Sequence, residues 1–145
     1  MASWNVPYEK GVLKAVGYDS RNKIINSAQL ITASNPAIIK LTADRTTIKA
    51  NNQDLSYVTV ELLDAKGNLN PTAENLVQFK IDGLGTIAGV GNANPVSLES
   101  YQKPQRKAWN GRCLVIIKSQ ASTGVIKLTA SSAGFAPVSI NINVE

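Results

Sequence analysis

Short runs in which apolar and polar residues alternate fill most of this chain. Between residues 57 and 62 the even-numbered positions are apolar, and Val77, Phe79 and Ile81 repeat the alternation in the next run. A period of two residues is typical of a β-strand that buries one face. The pattern therefore predicts an all-β protein in which two antiparallel sheets enclose a core.

Turn residues divide these runs into short strands. The runs predict strands over residues 12–18, 23–32, 38–43, 47–50, 57–64, 77–81, 85–90, 113–118, 124–131 and 137–144. That spacing is typical of an immunoglobulin-like antiparallel β-sandwich. Two segments depart from it, since residues 91–111 predict a long loop and residues 71–76 a single helical turn.

The break at Asn35-Pro36 separates the first two strands from the rest. The residue before a proline is pushed out of helical space, and proline has no amide to donate to a strand ladder. We predict an N-terminal β-hairpin appendage over residues 1–35 and the β-sandwich domain over residues 36–145. Because two strands alone leave apolar edges uncovered, we expect the hairpin to dock on the sandwich or to pair with a second copy of the chain.

Composition and charge narrow the classes of function. Of the 145 residues 43% are hydrophobic and 17% charged, which is ordinary for a globular protein, and no apolar stretch is long enough for membrane insertion. The formal charge is +5, but the basic residues are dispersed. Their one local concentration is Lys103, Arg106, Lys107 and Arg112. We interpret it as solvated surface and predict no nucleic-acid partner.

Side chains suited to catalysis are few. The chain has no histidine for a triad or a proton shuttle, so its ten carboxylates are the candidates. Five aspartates fall at predicted strand ends or turns, where the side chain commonly bonds its own backbone: Asp19, Asp44, Asp54, Asp64 and Asp82. The single Cys113 predicts a small buried hydrophobe. We therefore expect no catalytic residue, no metal site and no cofactor.

Several ordered phrases resemble a known family. They are QDLSYVTVE at 53–61, DAKGN at 64–68, GVGN at 89–92, NGRCL at 110–114 and SSAG at 131–134. Over residues 36–145 the chain is similar to the C-terminal immunoglobulin-like domain of glycoside hydrolase family 2 enzymes of the bacterial β-galactosidase type. The phrase WNVPYEKG at 4–11 resembles the start of the final hairpin of the β-sandwich that precedes this domain. Two positions depart from the family: Asn94 stands where an acidic residue is frequent, and Trp109 where phenylalanine is usual.

The resemblance implies a non-catalytic accessory domain. The family's catalytic glutamates lie on a TIM barrel, which this chain lacks, so none of them can be assigned here. Its implied work is to pack against neighbouring domains of a larger glycosidase or to form a homodimer. Since such enzymes are exported, a periplasmic or extracellular location is implied, and the first residues lack the features of a signal peptide. Any signal would therefore lie upstream.

Two other functions stay open at this stage. In a carbohydrate-binding module, Tyr101 and Trp109 would stack on a glycan while Arg106 and Asn110 donate to its hydroxyls. Against this, the position of Trp109 usually holds phenylalanine in the family, so the indole ring is not required there. Trp109 therefore fits better as an apolar plug over the end of the sandwich. The third reading is an invasin-like surface spacer, because tandem immunoglobulin-like domains also build stalks.

Overall fold

A computed structural model describes residues 3–145 of the protein. Contacts between Cα atoms divide the chain after Ala33 into two compact units. The sequence places this boundary after residue 35, and the assignment of the first unit to a preceding β-sandwich stays a prediction. Met1 and Ala2 of the predicted hairpin segment lie outside the described residues.

Eleven strands run through the described residues. They are β1 Val12–Tyr18, β2 Ile24–Ile31, β3 Pro36–Ala43, β4 Thr47–Ile48, β5 Leu55–Asp64, β6 Leu76–Gly83, β7 Gly85–Gly91, β8 Gln105–Lys107, β9 Arg112–Ser119, β10 Gly124–Ser131 and β11 Val138–Val144. The all-β prediction is confirmed.

The first unit is an antiparallel hairpin of β1 and β2. Its turn forms because Asp19 Oδ1 accepts hydrogen bonds from the Arg21 and Lys23 amides, at 2.8 and 2.9 Å. Asn22 completes the turn with a φ of 62°, a left-handed conformation that asparagine tolerates. Large apolar side chains on both strands are exposed, including Leu13 and Leu30. Docking or pairing of this hairpin stays a prediction.

The second unit is a sandwich of two sheets. One sheet has the strand order β3-β5-β9-β7, and the other has β4-β11-β10-β6-β8. The first corresponds to the A-B-E-D sheet of an immunoglobulin fold, and β6, β10 and β11 correspond to its C-F-G sheet. All pairs are antiparallel except β4 with β11.

The core lies between the two sheets, on the faces that the alternation predicts. In β5 the inward side chains Val58, Val60 and Leu62 are fully buried. In β6 the Phe79 side chain is 6% exposed, whereas Lys80 faces solvent. The predicted register of both strands is confirmed. Cys113 is buried beside them, and this burial raises the pKa of its thiol to about 12, as expected for an inert small hydrophobe.

Two local predictions are wrong. Residues 71–76 form no helical turn, because Asn70 Oδ1 accepts hydrogen bonds from both the amide and the hydroxyl of Thr72 and so closes a side-chain turn. The loop 91–111 contains β8, which is too short at three residues to show an alternating pattern.

Asp64, the last residue of β5, stabilises the turn that follows this strand. Its buried carboxylate accepts hydrogen bonds from the amides of Ser34, Lys66 and Asn68 at 2.9–3.0 Å. The Ser34 amide is the main cause of a lowered Asp64 pKa, and the bonds from Asn68 and Lys66 act in the same direction against the effect of burial. Asn70 also donates to the Ser34 carbonyl. The polar side chains of one turn thus hold the first residue of the sandwich.

We predict that Asp64→Asn makes the sandwich less stable at pH 7 and less sensitive to acid. The folded-state pKa of Asp64 lies below its unfolded value, so its contribution is complete above the unfolded pKa and is lost as the pH falls through the folded one. Urea midpoints measured between about pH 7 and pH 2 should therefore fall less steeply in the variant. Asp82→Asn, at an exposed aspartate, is the matched control. Parallel curves for Asp64→Asn and the unmodified chain would contradict this account.

Candidate functional site

The long loop between β7 and β9 holds every residue that the sequence singled out for contact. It begins at the buried Asn92, whose Oδ1 accepts the Asn94 amide at 3.1 Å while its Nδ2 donates to the Lys107 carbonyl at 3.0 Å. Ala93 adopts a φ of 58°, and Asn94 Oδ1 accepts the Val96 amide. Asparagine side chains thus give the first half of the loop its shape.

Arg106 is the centre of the loop. It lies in β8, opposite the inward-facing Val77 of β6, and this register turns its side chain toward the interior. Its guanidinium donates from Nη1 to the Glu99 carbonyl at 3.0 Å and from Nη2 to Asn92 Oδ1 at 2.8 Å. The Glu99 carboxylate lies 3.8 Å from Nε. Nε is buried without a hydrogen-bond partner within residues 3–145, so the cation is stabilised by the two acceptors at Nη1 and Nη2 and by the nearby carboxylate.

Tyr101 covers this cation from outside. The Arg106 Cζ atom lies 4.8 Å from the centroid of the Tyr101 ring, a cation–π geometry. The Tyr101 carbonyl accepts the Val90 amide at 2.9 Å, which ties the loop to β7. The Tyr101 side chain is nevertheless 58% exposed. One face of the ring is therefore held while much of the residue remains open to solvent.

The contact between Arg106 and a sugar stays a prediction, and the structure does not present the Arg106 side chain for it. Its side chain is fully buried, and two of its nitrogens are already hydrogen-bonded to Glu99 and Asn92. The same burial corrects its assignment to a solvated basic surface. The missed signal was the dipeptide Asn110-Gly111, a strong indicator of a tight turn between two strands. This turn joins β8 of one sheet to β9 of the other, and β8, which pairs with β6, buries Arg106.

Trp109 and Asn110 lie in this tight turn, which joins β8 of one sheet to β9 of the other. The Trp109 amide donates to the Arg112 carbonyl at 2.7 Å, and the Arg112 amide returns a bond at 3.0 Å. Asn110 and Gly111 have φ values of 50° and 77°, as a type I′ turn requires. Trp109 is half-buried and Asn110 is exposed. The structure thus brings Tyr101 and Arg106 together and places Trp109 and Asn110 in a separate turn.

Seven of the ten Asp and Glu side chains are engaged in structural contacts. Asp19, Asp44, Asp54 and Asp64 each accept backbone amides from the adjoining turn, as the sequence predicts. Asp82 differs, since it lies within β6 and pairs with Lys80 at 2.9 Å. Glu61 pairs with Arg112 and Lys40. Within residues 3–145, no three His, Cys, Asp or Glu side chains cluster as metal ligands would.

An open groove of about 260 Å³ lies beside the loop. It is lined by Thr59, Gly91, Asn92, Ala93, Arg112, Cys113 and Leu114. The Arg112 guanidinium at its rim is already paired with Glu61 at 3.0 Å. In the part of the chain that the structure describes, no helix has the length and hydropathy to cross a membrane.

The strand order of the two sheets defines an immunoglobulin-like β-sandwich module. Residues 39–141 match the profile of the family described as glycoside hydrolase family 2 C-terminal domain 5. The chain belongs to this family. The resemblance seen in the sequence is thereby confirmed.

Similar proteins are much longer than this chain. It is 45% identical over 143 residues to beta-galactosidase BoGH2A of Bacteroides ovatus, which covers 99% of this chain and 17% of that protein. A putative beta-glucuronidase of Formosa agariphila is 35% identical over 105 residues, covering 72% of this chain and 10% of that protein. The crystal structure of a glycosyl hydrolase family 2 member from Bacteroides cellulosilyticus superimposes with a TM-score of 0.92 at 46% identity. It covers 98% of this chain and 18% of that one.

Proposed function

We propose that this chain is the non-catalytic accessory domain of a larger β-galactosidase-like enzyme, in which it supports the packing of neighbouring domains or the formation of oligomers. The observation that carries this proposal is the match over 99% of the chain to 17% of a beta-galactosidase. The parent activity is proposed as β-galactosidase because that relative is the more similar of the two, while the second is a putative beta-glucuronidase.

The engaged carboxylates favour the same conclusion. Hydrolysis of a glycosidic bond by the usual mechanisms needs two carboxyl groups about 5–10 Å apart across a sugar site. Here Asp64 is buried in a turn, Glu61 pairs with two cations and Glu99 faces Arg106. These acids stabilise turns and loops. We also propose a periplasmic or extracellular location for the parent enzyme, on the family resemblance.

A deletion tests the accessory role. In the full-length polypeptide, removal of residues 34–145 should leave the specificity for the sugar unchanged but shorten the half-life of activity on heating or alter the oligomeric state measured by sedimentation. Loss of turnover by a deleted enzyme that still unfolds cooperatively and keeps its oligomeric state would show that the domain contributes to the active site. Unchanged stability and assembly would also reject the proposal.

We predict that the isolated chain does not hydrolyse aryl β-galactosides, because most of its carboxylates are held in structural contacts. Release of the aryl alcohol should equal that of a mock preparation. Glu61→Gln and Glu99→Gln serve as controls. The prediction would be contradicted if the chain showed turnover above the mock preparation and either substitution abolished that turnover.

One observation favours sugar binding as a second candidate function: the Tyr101 ring is fixed by Arg106 yet largely exposed. In the accessory role, galactose-containing oligosaccharides should leave the tryptophan fluorescence of the chain unchanged. The chain has two tryptophans, Trp4 and Trp109. The variant Trp109→Phe retains only the fluorescence of Trp4, so its difference from the original chain gives the signal of Trp109. A saturable shift that disappears in Trp109→Phe or Tyr101→Ala, in a chain of unchanged stability, would establish a carbohydrate-binding module instead.

A further inference from the structure

Three large apolar side chains protrude from the long loop within six residues. Val96 and Tyr101 are exposed, and Leu98 is fully exposed. We call these three residues the apolar ridge. Single exposed hydrophobic residues are ordinary on protein surfaces, but three within six residues of one loop concentrate apolar surface, as interaction sites do.

The apolar ridge is supported from beneath. Arg106 holds the Glu99 carbonyl, which lies between Leu98 and Tyr101 in the chain, and its guanidinium packs against the Tyr101 ring. Glu99 is fixed in turn by the Lys107 amide and by the Ser97 hydroxyl, each at 3.2 Å. The backbone at Glu99 and the Tyr101 ring are therefore already ordered, which lowers the entropy lost when a partner covers the ridge. If the ridge binds a partner, the buried Arg106 has a role, because it orders the loop that carries the exposed side chains.

Charge beside the apolar ridge indicates the chemistry of the partner. Lys103 and Lys107 are exposed, and among residues 3–145 neither lies within ion-pair distance of a carboxylate. The nearest acid in the loop, Glu99, is directed at Arg106. A second copy of this chain, with its own charge of +5, would bring the same lysines together. A surface with an apolar recess and an acidic rim would complement both features.

We infer that the apolar ridge docks into such a recess on the remainder of its own polypeptide. This inference rests on the proposed function, because it takes the chain as one domain of a longer enzyme. In the two similar proteins the matched segment is 17% and 10% of the whole, so most of their surface lies outside it. Covalent linkage also raises the effective concentration of the two surfaces to the millimolar range.

Hydroxyl-radical footprinting tests the docking, because it measures how accessible individual side chains are. The rates of modification of Val96, Leu98 and Tyr101 are compared between the isolated 145-residue chain and the full-length polypeptide. We expect each rate to fall several-fold in the full-length protein. Val125 and Ile38, exposed on strands of the same unit, serve as internal references and should change less.

The possible outcomes separate this inference from the function on which it rests. If the references are protected and the ridge is not, the domain packs through another surface and the inference fails while the accessory role stands. If no side chain is protected, both fail. Protection within the isolated chain that rises with its concentration would assign the ridge to a second copy. Protection there by galactose-containing oligosaccharides would assign it to a glycan, and either result would overturn the inference.

A pair of variants adds an independent check in the full-length polypeptide. Leu98→Gln replaces the most exposed apolar side chain of the ridge by a polar one of similar size, and Gln102→Ala truncates an exposed neighbour. We expect Leu98→Gln to restore several-fold the modification of Tyr101, and Gln102→Ala to leave it protected. Both isolated chains should keep the urea midpoint of the original. Continued protection of Tyr101 in Leu98→Gln would contradict the inference.

Discussion

Arg106→Ala should lower the free energy of unfolding by about 3 kcal/mol, the low end of the cost of removing one partner of a buried charge pair. The substitution leaves Asn92 Oδ1 and the Glu99 carbonyl without their donors. It also removes the cation from the Glu99 carboxylate, whose side chain is 29% exposed, so water offsets part of that loss. Urea titration followed by circular dichroism measures the change.

Arg112→Ala is the matched control for this prediction. The Arg112 side chain is 56% exposed and pairs with Glu61 at the surface, so its removal should cost no more than about 1 kcal/mol. Arg106→Lys should not restore the stability, because a single ammonium cannot reproduce the two donor positions of the guanidinium. Equal losses for Arg106→Ala and Arg112→Ala would show that the buried network contributes nothing of its own.

Phe79→Ala should cost about 3–5 kcal/mol, because it removes a large side chain from the core and leaves a cavity between the two sheets. Phe79 lies in β6, pairs with Ala130 of β10 and belongs to the buried core cluster. The change should shift the urea midpoint without abolishing the far-ultraviolet spectrum of a β-protein.

Lys80→Ala provides the control one residue away on the opposite face of β6. Its side chain is 75% exposed and pairs with Asp82, so the change in stability should stay within about 0.5 kcal/mol. The contrast between adjacent residues tests the register directly, since a slip of one residue exchanges the two faces. Similar losses for both variants would reject the register of β6.

Much of the fold could be predicted because a strand with one buried face imposes a period of two on its own sequence. In β5 this period assigned Val58, Val60 and Leu62 to the core before any partner strand was known, and the structure buries all three. The turn around Asp19 was equally local, since a side chain and backbone amides within four residues form it. The composition alone likewise excluded a catalytic triad or a proton shuttle that uses histidine, because the chain contains none.

Only the tertiary structure determined the state of Arg106. Three residues of β8 are too few to show a period, and an arginine in a polar loop reads as surface. Pairing of β8 with β6 turns its guanidinium inward, where Asn92 and Glu99 each accept one hydrogen bond from it. The hydrogen bonds from Ser34 to Asp64, across 30 residues, were hidden for the same reason. A sequence pattern shows which face of a strand is apolar, but the neighbour that each polar side chain meets depends on long-range pairing.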